Sequence, residues 1–203
     1  RAIVHVRKDS RMDEKEKLLD TGFAGFFRLD EVLFPFASSL ELKRDKQPAD
    51  VKLAAVARST PETNVDKSET VELKLRDNWR PNAKQEQRVL AAYADGKLKS
   101  AFAGSPMEGI TTPERSAQPS RVLVVSSSLF LANPFAYAGN GPDLGGQFAM
   151  FGAVGGDPTL LAAANPYTKH LTGTIMTLKN TLDWASGDAD LVATSAKLLG
   201  EPS

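Results

Sequence analysis

Arg121-Val122-Leu123-Val124-Val125 is the stretch on which the fold turns. A continuous apolar, mostly β-branched run of strand length reads as a strand buried on both faces. That is the pattern of a central strand in a sheet covered by helices on each side. Ser126-Ser127-Ser128 ends it, followed by Leu129-Phe130-Leu131. Working upstream, Arg88 to Gly96 (RVLAAYADG) carries an apolar run with a glycine stop, and Lys97 to Phe102 (KLKSAF) reads as the next strand or its start. Val51 to Ser59 (VKLAAVARS) reads as a strand closed by Thr60-Pro61. Thr70 to Leu75 (TVELKL) alternates cleanly, with Val71, Leu73 and Leu75 on one face. Arg1 to Val6 is a short strand candidate, and in the aromatic stretch Phe23 to Phe36, Pro35 confines any strand to an edge or an end. Ser10 to Glu14 could start a helix with Ser10 as N-cap, although the charged run that follows suits a solvated arm equally well. Downstream, Leu171 to Ala185 fits an amphipathic helix with Ile175, Leu178, Leu182 and Trp184 broadly on one side. Leu191 to Lys197 makes a last short strand. The expected class is therefore α/β, a mixed or mostly parallel sheet with flanking helices. One domain is expected over residues 1–203, with 1–31 peripheral and 139–158 a glycine-rich loop.

The chain of 203 residues holds 25 basic and 25 acidic side chains, two histidines and no cysteine. With 41% apolar and 25% charged residues it can bury a core and is not compositionally disordered. Zero formal net charge argues against nucleic acid as a partner, which needs a strongly basic face. No window reaches the roughly 18 consecutive apolar residues of a membrane span. The absence of cysteine excludes disulfides, thiol nucleophiles and thiolate metal sites; an export-compatible or oxidant-exposed domain tolerates it, and many cytosolic proteins lack cysteine too. The charge is concentrated in residues 1–120, which hold 21 of the basic and 19 of the acidic side chains. The chain opens on Arg1 without a signal-like segment and reads as a fragment of something longer. Residues 105–120, rich in Pro, Glu, Ser and Thr, read as a mobile loop.

No catalytic set emerges. Ser126 to Ser128 follow a buried strand, a suggestive place for a nucleophile, but no nucleophile-elbow motif surrounds them. Only His5 and His170 could act as base. Two isolated histidines make no three-histidine zinc site, and no H-E-x-x-H occurs. Asp183, Asp188 and Asp190, or Asp143 and Asp157, could offer oxygen ligands to a hard cation. For Asp188, local hydrogen bonding after a helix stop explains the residue more simply. The seven glycines between Gly139 and Pro158 match neither phosphate-binding pattern, and Pro142 blocks helix initiation of the dinucleotide-binding kind. That stretch is a pliable contact loop by default, with Asn140, Asp143, Gln147 and Asp157 as its candidate binding residues. Phe23, Phe26, Phe27, Phe34 and Phe36 are expected in the core; if exposed, they would mark a partner site. No cofactor and no metal are expected.

Four segments taken in order carry a resemblance. Val32-Leu33-Phe34-Pro35-Phe36-Ala37-Ser38-Ser39-Leu40, Leu90 to Phe102, Arg121 to Phe130, and Leu178 to Leu191 with its Asn180, Asp183 and Trp184 are similar to segments of GldG-like proteins. These are auxiliary subunits of ABC-type transport systems associated with gliding motility. The match spans roughly residues 32–195 and resembles the later part of the family's extracytoplasmic domain. The chain departs from the pattern where Ser126 to Ser128 replace the family's glycine and aspartates, and where Ala185 replaces a leucine. Any ligand those aspartates held would have lost its groups here. The resemblance implies an α/β domain outside the cytoplasmic membrane, at the periplasmic face of the inner membrane, anchored through segments absent from this chain. It implies a non-catalytic role in protein–protein or substrate contact, with ABC permease and ATPase subunits or other envelope proteins as partners. In that reading Trp184 packs on the sheet, while Asn180 or Asp183 satisfies nearby backbone groups. The rival readings are an α/β hydrolase-like or carbohydrate-active domain, which would bring His170 beside a serine or aspartate in a cleft, and a substrate-binding domain with a closed polar pocket.

Overall fold

The computed structural model describes residues 3–8, 17–65, 84–103, 112–131 and 172–187. Among these residues the elements are β1 (Ile3–Arg7), β2 (Glu31–Pro35), β3 (Lys52–Arg58), β4 (Val89–Gly96), β5 (Ser120–Val125) and one helix, α1 (Thr172–Ser186). Short 3-10 turns stand at Ala24–Phe26 and Arg44–Lys46. The candidates at Ser10–Glu14, Thr70–Leu75 and Leu191–Lys197 lie outside the described residues.

The strands form two sheets, β1-β2 and β3-β4-β5, and every pairing in them is antiparallel. This corrects the expected mixed or mostly parallel α/β sheet. Strands adjacent in sequence are adjacent in space, so no helical crossover separates them. The β4–β5 pair even continues past its ends: Lys99 bridges Arg115, Ser100 N–H donates to Glu114 O (2.8 Å), and Ser116 N–H donates to Leu98 O (2.9 Å). Lys97 to Phe102 is therefore a short extension and turn of this hairpin, not a strand of its own, and residues 112–119 are tied back onto it. Gly96 ends β4 at φ +135°, where a Cβ would also come 3.1 Å from the Asp50 carbonyl oxygen.

The core joins aliphatic side chains with a cluster of aromatic ones. Phe23 stacks on Tyr93 (centroids 5.0 Å apart) and meets Trp184 and Phe26 edge-on at 5.1 Å and 5.4 Å. Phe34 stacks on Phe130 at 5.6 Å. Such pairs contribute about 0.5–1.5 kcal/mol each beyond the area they bury. Phe23, Phe26 and Phe34 are buried as expected, whereas Phe27 is partly exposed. Pro35 sits at the end of β2, as its missing N–H requires.

The helix departs from its amphipathic reading. Its buried residues are Thr174, Thr177 and Asn180, while Leu178 and Leu182 face solvent. Close approach explains the inversion. A Cβ on Gly173 would collide with the Glu31 carbonyl, and one on Gly25 would stand 2.7 Å from Thr181 Oγ1. Only short side chains fit that contact, so the leucines are turned outward. Two of the buried polar side chains are satisfied locally, Thr177 Oγ1 donating to Gly173 O (2.7 Å) and Asn180 Nδ2 to Phe27 O (3.4 Å), whereas Thr181 Oγ1 is buried with no hydrogen-bond partner. Trp184 packs on Phe23 and Tyr93, as expected for a tryptophan set against the sheet.

Candidate docking surface

In a strand, alternate side chains face opposite sides of the sheet. Along β4 and β5, Ala91, Tyr93, Leu123 and Val125 face the aromatic core. Their alternates pair as Ala92 with Val124 and Ala94 with Val122 on the other side, continued on β3 by Leu53, which pairs with Ala94. That second face is also apolar. Val122 and Val124 are 40% and 47% exposed. The burial that an unbroken apolar run implies is thus met on one face only. The run lacks polar alternation because its outward positions carry valine.

Leu40 and Leu42 arch over part of this face. Leu40 is anchored by its N–H to Val89 O (2.9 Å), and Ser38 N–H donates to Ser126 O (2.8 Å). Between this arch and the sheet runs a shallow groove of about 150 Å³ lined by Leu40, Leu42, Leu53, Ala92, Ala94 and Val124, with Tyr93 and Glu41. Small-molecule sites enclose roughly 300–1,000 Å³ and converge several polar groups. This groove is smaller, open and almost wholly apolar. Glu41 is its one carboxylate, with no nucleophile or base beside it. Its chemistry is burial of a partner's apolar surface.

The polar groups lie elsewhere. His5 Nε2 stands 2.8 Å from Glu31 Oε2 on the two-stranded sheet, with Arg7 Nε 3.4 Å from the same carboxylate oxygen. Ser127 is buried and donates to the Pro35 carbonyl. Ser126 Oγ is buried with no hydrogen-bond partner. Neither serine is set beside a base among the described residues. Arg115 grips Asp50 through both carboxylate oxygens (2.8 and 2.7 Å) and Lys97 O (2.7 Å). That guanidinium holds the Asp50 carboxyl below its usual pKa. Lys52 lies 5.6 Å over the Tyr93 ring, and the Tyr93 hydroxyl, with Asp95 and Asp20, raises its pKa. Asp183 pairs with Lys179 one turn earlier on the helix (3.0 Å). Among the described residues no group of three His, Asp or Glu could hold a metal ion, and no described helix is long and apolar enough to cross a membrane.

Asn140, Asp143, Gln147 and Asp157 fall outside the described residues, as do His170, Asp188 and Asp190. Sequence reasoning missed the surface built by Leu40, Leu42, Val122 and Val124. Its available signal was the alanine-rich β4 beside an unbroken apolar β5. Two neighbouring strands without polar alternation demand either covers on both faces or an exposed apolar face.

A protein-family model described as an ABC-type uncharacterized transport system matches residues 19–151, about two-thirds of the chain. The matched stretch contains β2 to β5 and both sides of the groove. No curated protein and no solved structure matches the chain.

Proposed function

The chain belongs to the family of auxiliary components of an ABC-type uncharacterized transport system, and from that membership we propose that it is a non-catalytic docking domain whose apolar sheet face receives the permease of its transporter. The observation that carries this reading is the face itself. Two half-exposed valines and a leucine-roofed groove form one apolar surface on the part of the chain that defines the family. A contiguous apolar surface of this kind marks a partner site. The groove's lining offers contact area and lacks the convergent acid, base or nucleophile that catalysis needs.

The GldG-like segments support a position at the extracytoplasmic face of the inner membrane, with anchoring by segments outside this chain. In this reading the ATPase subunit is reached through the permease, and other envelope proteins are secondary contacts. The glycine-rich stretch with Asn140, Asp143, Gln147 and Asp157 supplies a second, polar contact. The test is binding of the full chain to the detergent-purified permease–ATPase complex of its transport system. Leu42→Glu combined with Ala94→Glu puts like charge on both walls of the groove. The expected loss is at least ~10-fold in affinity, the cost of stranding a charge in a desolvated apolar contact. Undiminished binding by this variant, folded by circular dichroism, would sink the assignment of the face.

A further inference from the structure

The two edges of the three-stranded sheet are treated differently. The β3 edge is closed: its register shifts at Ala55/Ala57 and Ala57/Arg58, Leu19 bridges Ala57, Asp20 N–H donates to Val56 O (2.8 Å), and Arg58 N–H donates to Leu18 O (2.7 Å). Among the described residues the β5 edge has none of these devices. Its register against β4 is unbroken from Ser120 to Val125, it contains no proline or lysine, and among the described residues no strand pairs with its far side. Long, flat, apolar edges left open are templates for another strand.

The direction of the free backbone groups follows from the ladder. Ser126 N–H donates to Leu90 O (2.9 Å), in line with the register that pairs Ala91 with Val125. Antiparallel pairs alternate between hydrogen-bonded and non-hydrogen-bonded, so Val124 and Val122 spend their backbone groups on β4. Those of Arg121, Leu123 and Val125 point out to the open edge. We propose that this edge is a self-complementary interface on which a second copy of the chain adds its own β5 antiparallel. A two-fold axis through Leu123 places Leu123 opposite its own copy and Arg121 opposite the copy's Val125. These are the residues whose N–H and C=O are unspent among the described residues, so each pair exchanges two hydrogen bonds. Between them Val122 and the copy's Val124 form non-hydrogen-bonded pairs, the closer kind, with β-branched side chains in contact.

Charge permits the pairing. The chain is formally neutral, so two copies do not repel, and near-zero net charge favours association. The two Arg121 side chains come to lie four residues apart along the ribbon, about 14 Å, beyond the screening length at physiological salt. Each is already neutralised by Asp95 (3.5 Å) and bound to Trp184 O (2.5 Å) of its own chain. The isologous contact closes on itself and uses up the open edge of both copies.

This inference goes beyond docking to the permease and is tested in the purified chain alone. Sedimentation equilibrium from about 5 to about 500 μM shows a concentration-dependent dimer by mass action. Val122→Glu with Val124→Glu sets like charges directly opposite at the interface, and dissociation strengthens at least ~10-fold. Mixing that variant with Val122→Lys plus Val124→Lys restores a one-to-one dimer. Both sites are exposed, and circular dichroism confirms the fold of each variant. On the unaltered chain, hydrogen exchange at Leu123 and Val125 slows as concentration rises, while Val122 and Val124, bonded within the sheet, do not respond. A chain that stays monomeric over this range, a dimer indifferent to both charged pairs, or exchange at Leu123 independent of concentration overturns the proposal.

Discussion

Replacing Gly173 by alanine sets local propensity against tertiary packing with opposite signs. Gly173 is the second residue of α1, and in a helix interior alanine is favoured over glycine by about 0.8–1.0 kcal/mol. On helix propensity alone Gly173→Ala should stabilise the protein, by somewhat less than that figure so near the helix start. Against this, the new Cβ would meet the Glu31 carbonyl oxygen well inside the 3.0 Å that real Cβ contacts respect. Glu31 belongs to β2, paired with Arg7 of β1, so the carbonyl cannot swing aside without dragging the sheet. The helix is equally held, because Gly173 O accepts the Thr177 hydroxyl and Trp184 is locked among Phe23 and Tyr93. Forcing a methyl group into such a contact costs about 1–3 kcal/mol. The net expectation is destabilisation by about 1–2 kcal/mol. For a chain of this size that lowers the melting temperature by roughly 2–8 °C. Thermal unfolding followed by circular dichroism reads it, with Ala185→Gly on the exposed helix surface as the propensity control, expected to cost up to about 1 kcal/mol. A Gly173→Ala protein that melts higher than its parent would refute the close helix–sheet contact and the account of why threonines face inward.

Adjacent serines should respond in opposite ways. Ser127→Ala leaves the Pro35 carbonyl without its donor in a buried site and should cost about 1–3 kcal/mol by chemical denaturation. Ser126→Ala removes a buried hydroxyl that has no partner and should be neutral or stabilising; equal losses at both positions would contradict the hydrogen bonding described. Acid should release residues 112–119 from the β4–β5 hairpin. The Asp50 carboxyl is held below its unfolded value of about 3.9, so its ion pair with Arg115 contributes above that pH and is lost as pH falls through the lower folded value. Hydrogen exchange at Ser100 and Ser116 should therefore rise below about pH 4, and Asp50→Asn should show the faster exchange already at neutral pH. Exchange unaltered by that substitution would mean the clamp does not hold the segment.

Several elements could be read from residues alone because short-range rules decide them. β1, β3 and β4 begin and end close to where alternation, Thr60-Pro61 and Gly96 place them. The helix from Thr172 to Ser186 was legible as an element though its buried face was not, and the phenylalanines at 23, 26 and 34 are inside because aromatic side chains bury a large apolar area. The polarity of the neighbours was not legible. An apolar run says that water is unfavourable on both faces, yet it does not distinguish a strand covered twice from an edge strand that keeps one apolar face open. Lys97 to Phe102 alternates like a strand, but its partner across the hairpin decides that only a single bridge forms.

Composition and local pattern by themselves determined that this chain buries a core, offers no thiol chemistry, carries no strong charge for nucleic acid, and forms strands and a helix at these places. Those properties depend either on composition summed over the chain or on residues within a few positions of one another. Tertiary structure alone decided that the strands run antiparallel, that α1 turns its threonines in and its leucines out, and that Val122 and Val124 stand at an open apolar face. Each of those outcomes is set by the distance of approach between elements far apart in the chain: Gly173 against Glu31, Gly25 against Thr181, and Leu40 over Val124. No window of sequence contains both sides of such a contact.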